Sequence, residues 1–393
     1  MQTSQQEKTY DVVIVGAGPT GLSLGLALAR EKKRVIVLEK KSRLSERSKA
    51  PAIWPRTQEI LQQLGVLESF LSEGTQRPRL EFWDADRDKV LVRLDFDVIK
   101  DRTSCPRLLV LEQAETERLL FEKLRTYPNA EILFDHEVGS VSDIGDSVFV
   151  QYASNGETST VFGKYVVGCD GAHSVVRGAL GFHLGGFTYP FQISLVDILI
   201  KNEDERHPLR MSTRGGLALG INIKGGLWRL ILPFTDKRRL TVSEAVSKLF
   251  GTMEYEQVWF SDFHIHDRMS SNFVKGRIAI AGDAAHLNSP VGGQGMNAAI
   301  QDAYLLSKVL ADALARNEPA HLRRYEAERR QIVRARVNRF TNLLTRLLLG
   351  NGGRWLRFVM QVAGLACRVR WVQRQILKKL AMLGKEARPR ARA

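Results

Sequence analysis

Three cysteines in 393 residues, Cys105, Cys169 and Cys367, lie too far apart for a CxxC pair, a zinc spacing or a disulfide framework. Their scarcity excludes a disulfide-stapled fold and fits a reducing, cytoplasmic setting. With only 12 prolines and no internal repeat, proline-rich and solenoid chains are excluded. There is no run of 18 or more uninterrupted apolar residues, so no spanning helix is expected. The segment Met1 to Tyr10 lacks the charged and then apolar regions of a signal peptide.

The composition, 44% hydrophobic and 26% charged with 32 glycines, is that of a core-forming chain. Chains beyond roughly 250 to 300 residues tend to split, so at least two units are expected. Lys and Arg number 58 against 43 Asp and Glu, a net +15 that raises nucleic acid, anionic membranes or an acidic protein as partners. That charge is local. From His321 to Ala393 there are 19 basic residues against Glu326, Glu328 and Glu386, a net +16 that leaves −1 for residues 1–320.

The clearest local signal opens the chain. Asp11 to Val15 reads as a buried strand, Gly16-Ala-Gly18-Pro-Thr-Gly21 as a tight turn, Leu22 to Arg30 as a helix, and Arg34 to Leu38 as a second strand ending at Glu39. This is a βαβ unit for a dinucleotide. Gly16 permits the turn, Gly18 admits a pyrophosphate, and Gly21 and Gly25 allow close packing of helix on strand. Helix amides face the phosphates. Glu39, with Lys40 beside it, is placed for a ribose 2′-hydroxyl and disfavours a 2′-phosphate, so the spacing points to FAD or NAD.

Downstream, Thr57 to Leu64 reads as a short helix, and Leu80 to Asp84 and Lys89 to Phe96 as a hairpin. Leu109 to Lys123 reads as one helix, and Tyr165 to Gly168 as a buried strand before Cys169-Asp170-Gly171. Between Gly185 and His266 the β segments repeat, with one helix at Val242 to Phe250. Arg277 to Ala281 returns to a buried strand before Gly282-Asp283 and a helix from about Gly295 to Ala315. The expected class is α/β: a Rossmann-like cofactor domain with an inserted antiparallel sheet and C-terminal helices.

Three motifs in this order resemble the single-component FAD-dependent aromatic hydroxylases, whose best-known member is p-hydroxybenzoate hydroxylase. They are Gly16-x-Gly18-x-x-Gly21 with Glu39, Cys169-Asp170-Gly171-Ala-His173 with Arg177, and Gly282-Asp283-Ala-Ala-His286 continuing through Pro290 to Gly295-Met296-Asn297. The resemblance spans about residues 10 to 340. It implies an FAD-binding domain in three segments, 1–78, 98–182 and 268–345. A hairpin at 79–97 serves a substrate sheet at 183–267, and basic amphipathic helices occupy 346–393.

The resemblance further implies that Asp283 meets the ribityl chain and that the Gly295 helix aims the amides of Met296 and Asn297 at the flavin ring. Pro290 would face flavin and substrate, Gln113 would contact the FAD linker, and Asp170 and Arg177 would serve flavin and pyridine nucleotide. Where relatives carry an Arg-Ala pair, this chain has Lys49-Ala50, so Lys49 or Arg47 would replace the arginine, a point charge in the lysine's case. The implied reaction uses NADH or NADPH and O2 to hydroxylate an electron-rich aromatic or related, lipophilic or biosynthetic, substrate through a flavin C4a-hydroperoxide. No side-chain nucleophile and no metal are expected, and the Trp-x-Trp-x-Ile-Pro stretch of halogenase cousins is absent. The alternative is a non-oxygenating flavoprotein of the same fold, such as a prenyl-chain reductase.

Substrate contacts are expected from the inserted sheet, with Arg210 and Arg214 as anion binders and Trp228 as a pocket wall. His264 and His266 share one face of a strand and, with Asp262, raise a metal site, but a third well-spaced ligand is lacking. In the basic tail, Leu343 to Leu349 and Trp355 to Leu383 are apolar at helical spacing with arginines between. Three readings stand: peripheral contact with an anionic membrane, docking of an acidic carrier protein, or packing on the FAD domain. Nucleic acid is not expected, because the tail carries no reading motif.

Overall fold

The computed structural model describes residues 9–46, 50–201, 207–235, 239–251, 253–349 and 355–384. Its first sheet has at its centre five parallel strands that the hydrophobic runs dictate. Thr9–Val15 pairs with Val35–Leu38 on one side and Glu157–Gly168 on the other, and the sheet extends to Ala130–Leu133 and Ile278–Ile280. Val12, Val13, Ile14, Val35 and Val37 are buried completely, as expected of strands covered on both faces. The helix Pro19–Arg30 starts on a proline whose missing N–H costs nothing there. It packs against the helices Gln113–Leu124 and Gly295–Arg316. A Cβ on Gly25 would lie 3.0 Å from Leu124, so a larger residue would push these helices apart.

The second sheet is mostly antiparallel, in the order His286–Leu287, Tyr255–Ser270, Leu184–Ile200, Leu227–Phe234, Ala218–Lys224, Leu209–Ser212, Arg79–Asp84, Lys89–Asp95. The early hairpin joins it through a parallel pairing of Arg79–Asp84 with Leu209–Ser212. One face packs Val196, Ile198, Trp228 and Leu230 beneath the helix Val242–Phe250, which a capping box of Thr241 and Glu244 starts. The other face packs Ile193, Leu195 and Met211 with Trp54 and the C-terminal Leu356, Met360 and Leu377.

One sequence expectation is corrected. Leu109 to Lys123 is not one helix: Leu108–Val110 is the central strand of a small sheet, between Ala52–Ile53 and Thr75–Arg77, and the helix is Gln113–Leu124. Two flanking strands outweigh the local periodicity. Trp355 to Leu383 is two helices, Leu356–Ala366 and Arg370–Leu380, because the first seats on Lys89–Asp95 and the second on Phe96–Ile99. At the break, Gln373 Nε2 donates to the Cys367 carbonyl at 3.1 Å, supplying a partner the helix end would otherwise lack.

Candidate active site

Backbone register brings the three motifs together. Val15 lies beside Leu38 and Gly168, and Gly168 beside Ile280, so four parallel strands end level with one another. Gly16, Glu39, Asp170 and Asp283 therefore leave the sheet along one carboxyl edge, where open α/β sheets bind ligands.

Each glycine of the first turn meets a different constraint. Gly16 has φ +103°, and a Cβ there would lie 2.6 Å from the Cys169 carbonyl oxygen. A Cβ on Gly21 would lie 1.9 Å from the Gly16 carbonyl oxygen. Beyond its chain neighbours, Gly18 has no atom of the described residues within 4 Å of its Cβ direction, so the backbone is bare where a pyrophosphate would approach. The Pro19–Arg30 and Gly295–Arg316 helices start with no side-chain cap and no acid in the first turn, leaving both positive ends to an anion. Glu39 accepts from the Ala17 amide at 2.8 Å and the Lys41 amide at 3.1 Å, which fixes its carboxylate beside the glycine loop. Lys40 is exposed next to it, while Arg47 and Lys49 lie outside the described residues.

The second and third motifs are tied to each other. Asp170 accepts from Ser174 Oγ at 2.6 Å and the Val176 amide at 3.2 Å, capping the short helix Val175–Ala179. Arg177 donates to the carbonyls of Ala172 at 2.8 Å and Ala284 at 3.0 Å, and burial holds its pKa below the usual arginine value. Gly282, at φ +63°, would place a Cβ 2.3 Å from Thr20 Oγ1, so the exposed Asp283 stands against the start of the first helix.

The loop before the long helix is held from its far side. Trp54 donates its indole N–H to Gly292 O and its amide to Asn297 Oδ1, both at 2.9 Å. Asn297 returns donors to Ala52 and Gly293, so its side chain is a clamp and only its amide remains for a ligand. Met296 is buried beside it, and Pro290 is exposed at the loop tip. Gln113 opens its helix and donates to Glu117 Oε1 at 2.9 Å; burial pushes the Glu117 carboxyl up.

Sequence reasoning missed the interior beneath this loop. Asp302, fully buried, accepts from His286 Nε2 at 2.6 Å, the Gly282 amide at 3.0 Å and Arg329 Nε at 2.6 Å. Burial works to raise its carboxyl, yet Arg329 and His286 outweigh it and hold the pKa below the ordinary aspartate value. The only sequence signal was a charged residue at a core position of a helix.

The structure places the expected substrate residues on the face of the second sheet opposite Trp54. Met211 belongs to the face packed with Trp54, so strand alternation turns Arg210 the other way. There its guanidinium lies 5.2 Å from Trp83, 4.9 Å from Trp228 and 4.8 Å from Phe250, and Trp228 is core beneath the Val242–Phe250 helix. Arg214 is exposed at the rim of the same open cleft of about 680 Å³. All three sit on the side of the sheet away from the loop 290–297. Asp262 is taken up by Ser194 at 2.7 Å and by Arg239, apart from the stacked His264 and His266. Burial first, then the neighbouring Arg268, His264 and His173, lower the His266 pKa and hold its imidazole toward the neutral form. Burial raises the thiols of Cys105, Cys169 and Cys367, so none is a ready nucleophile.

The chain is 34% identical over 334 residues to 6-methylpretetramide 4-monooxygenase of Streptomyces rimosus, an alignment covering 81% of this chain and 58% of that protein. It is 31% identical over 327 residues to an uncharacterized aromatic compound monooxygenase of Bacillus subtilis, covering 80% of this chain and 64% of the relative. The chain thus spans about three fifths of the length of these relatives. The solved anhydrotetracycline hydroxylase OxyS from Streptomyces rimosus superposes with a TM-score of 0.80 at 29% identity, covering 96% of this chain and 76% of that one. Residues 9–340 match the family described as FAD binding domain, and the chain belongs to that family.

Proposed function

We propose that the protein is an FAD-dependent monooxygenase that uses NADH or NADPH and O2 to hydroxylate an aromatic small molecule. The observation that carries this reading is the convergence of Gly16, Gly18, Glu39, Asp170, Asp283 and the Gly295 helix on one sheet edge, facing a second sheet across the Pro290 loop. Gly18 and the first helix would hold the pyrophosphate, Glu39 the ribose, Asp283 the ribityl chain, and the Met296 and Asn297 amides the flavin ring. When bound, FAD supplies the redox chemistry that activates O2 with electrons from the nicotinamide. The protein's part is to orient and to exclude water. Arg268, with the ring N–H groups of His173 and His264 near it, suits the phosphates of the reductant. In this reading the FAD domain comprises residues 1–78, 98–182 and 268–345, and the substrate sheet residues 79–97 and 183–267.

The test begins with the absorption spectrum of the purified protein. A flavin spectrum, bleached by NADH or NADPH, is expected; a colourless protein that FAD cannot reconstitute would end the proposal. A prenyl-chain reductase of the same fold would consume nucleotide without consuming O2.

The basic tail is read as a lipid-facing surface. No helix among the described residues is long and apolar enough to cross a membrane. Yet Trp355, Phe358, Val362, Leu365 and Val369 form an exposed stripe at spacings of three and four, opposite the buried Leu356, Met360 and Cys367. Exposed Arg368, Arg370 and Lys379 flank it. A second copy would bring +16 against +16, whereas an anionic bilayer complements both charge and apolar stripe. Flotation with anionic vesicles should carry the protein, and Phe358→Glu with Leu365→Glu should release it. Equal flotation of this variant, or none of the wild type, contradicts the reading and leaves an acidic carrier.

A further inference from the structure

Register sets Trp259, Asp197 and Arg229 side by side on three neighbouring strands of the second sheet. Alternation puts them on the face of Ile193 and Leu195, which packs with Trp54, the residue bonded to the loop at Gly292 and Asn297. This is the face toward the proposed flavin site, the opposite of the one that holds Arg210 and Trp228. Half-buried Phe191, Trp259 and Phe263 pack against the same cluster.

Arg229 is 1% exposed and Asp197 is 5% exposed. The Asp197 carboxylate accepts from Nε at 2.8 Å and Nη2 at 2.7 Å, and the guanidinium carbon lies 5.6 Å from the centre of the Trp259 ring. That fixes one edge of the planar fork and aims its remaining corner. Among the described residues the corner, Nη1, is buried without a hydrogen-bond partner. Leaving a buried donor unmet costs about 1–3 kcal/mol, more when it is charged. For packing alone, an apolar pair in place of a buried ion pair is commonly neutral or stabilising. A buried arginine with one unmet corner on the flavin-facing side is therefore best explained by an acceptor that arrives with a ligand.

The chemistry of that acceptor follows from what is already occupied. The bidentate edge that would grip a carboxylate or phosphate is filled by Asp197, and the free corner suits a single anionic oxygen. Nearby, Glu112 just ahead of the Gln113–Leu124 helix has its carboxyl pushed up by burial and drawn back by the Arg229 charge, so an acid stands beside the same subsite.

We propose that Arg229 is the specificity-determining residue of the substrate site, its Nη1 donating to the phenolate oxygen of an aromatic substrate. The inference rests on the hydroxylase reading for the word substrate, but phenolate binding is measurable without turnover or flavin. The probes are 4-nitrophenol, whose phenolate absorbs in the visible, and 4-nitroanisole, which cannot ionise. The wild type should bind 4-nitrophenol at least tenfold tighter than the ether and should lower the apparent pKa of the bound phenol. Arg229→Lys keeps the charge but loses the fork, and should reduce that preference severalfold with the fold and flavin content unchanged. Arg229→Met combined with Asp197→Leu strands no buried charge and should abolish the preference. Equal binding of the two probes by the wild type, no binding of either, or an unchanged preference in Arg229→Lys overturns the proposal. A wild type without flavin would refute the hydroxylase reading alone.

Discussion

Asp302 and Arg329, 27 residues apart, meet at 2.6 Å where neither is exposed by more than 3%. Through Asp302 the same pair reaches His286 and the Gly282 amide, so two helices brace the turn that presents Asp283. Asp302→Asn preserves the shape and strands a buried arginine, which costs about 3–5 kcal/mol. Chemical denaturation should show that loss together with weaker FAD retention.

The same carboxylate sets an acid limit. Its folded pKa lies below the ordinary 3.8, so its contribution is present in full above the unfolded value and is lost as pH falls through the folded one. Thermal unfolding from pH 7 downward should therefore lose stability below about pH 4, and Asp302→Asn should lose less over the same interval than the wild type.

Gly18 and Gly21 should separate ligand binding from folding. Gly18→Ala meets no atom of the described residues beyond its chain neighbours, so the flavin-free protein should keep its thermal midpoint while FAD binding weakens. Gly21→Ala drives a Cβ to 1.9 Å from a backbone oxygen and should lower the midpoint with or without flavin.

Gly364 is where the helix Leu356–Ala366 lies hard against Lys89–Asp95: a Cβ there would fall 1.8 Å from the Leu91 carbonyl oxygen. Gly364→Ala should lift the helix at a cost of about 1–3 kcal/mol. Hydrogen exchange should then speed up across 356–380 while the first sheet stays protected.

What the sequence made legible is what short segments determine. The Gly16 to Glu39 unit was readable because strand, turn and helix are neighbours in the chain, and the Val242–Phe250 helix because its cap and period agree. That Arg210 and Trp228 lie on the face opposite Trp54 is not legible in the sequence, because the face a strand residue occupies is set by register across the whole sheet, and a shift of one residue exchanges the faces. Arg229 went unremarked for the same reason, although it neighbours Trp228. The Asp302–Arg329 pair was hidden because it forms between helices that sequence cannot dock.

The measurement that bears most directly on the central claim is turnover under oxygen-18-labelled O2, with NADH or NADPH and a panel of phenolic aromatics, followed by mass spectrometry. One labelled oxygen atom in the product, with nucleotide oxidation stimulated by that substrate, is the predicted result. Substrate-stimulated nucleotide oxidation that yields a reduced product carrying no label would contradict it.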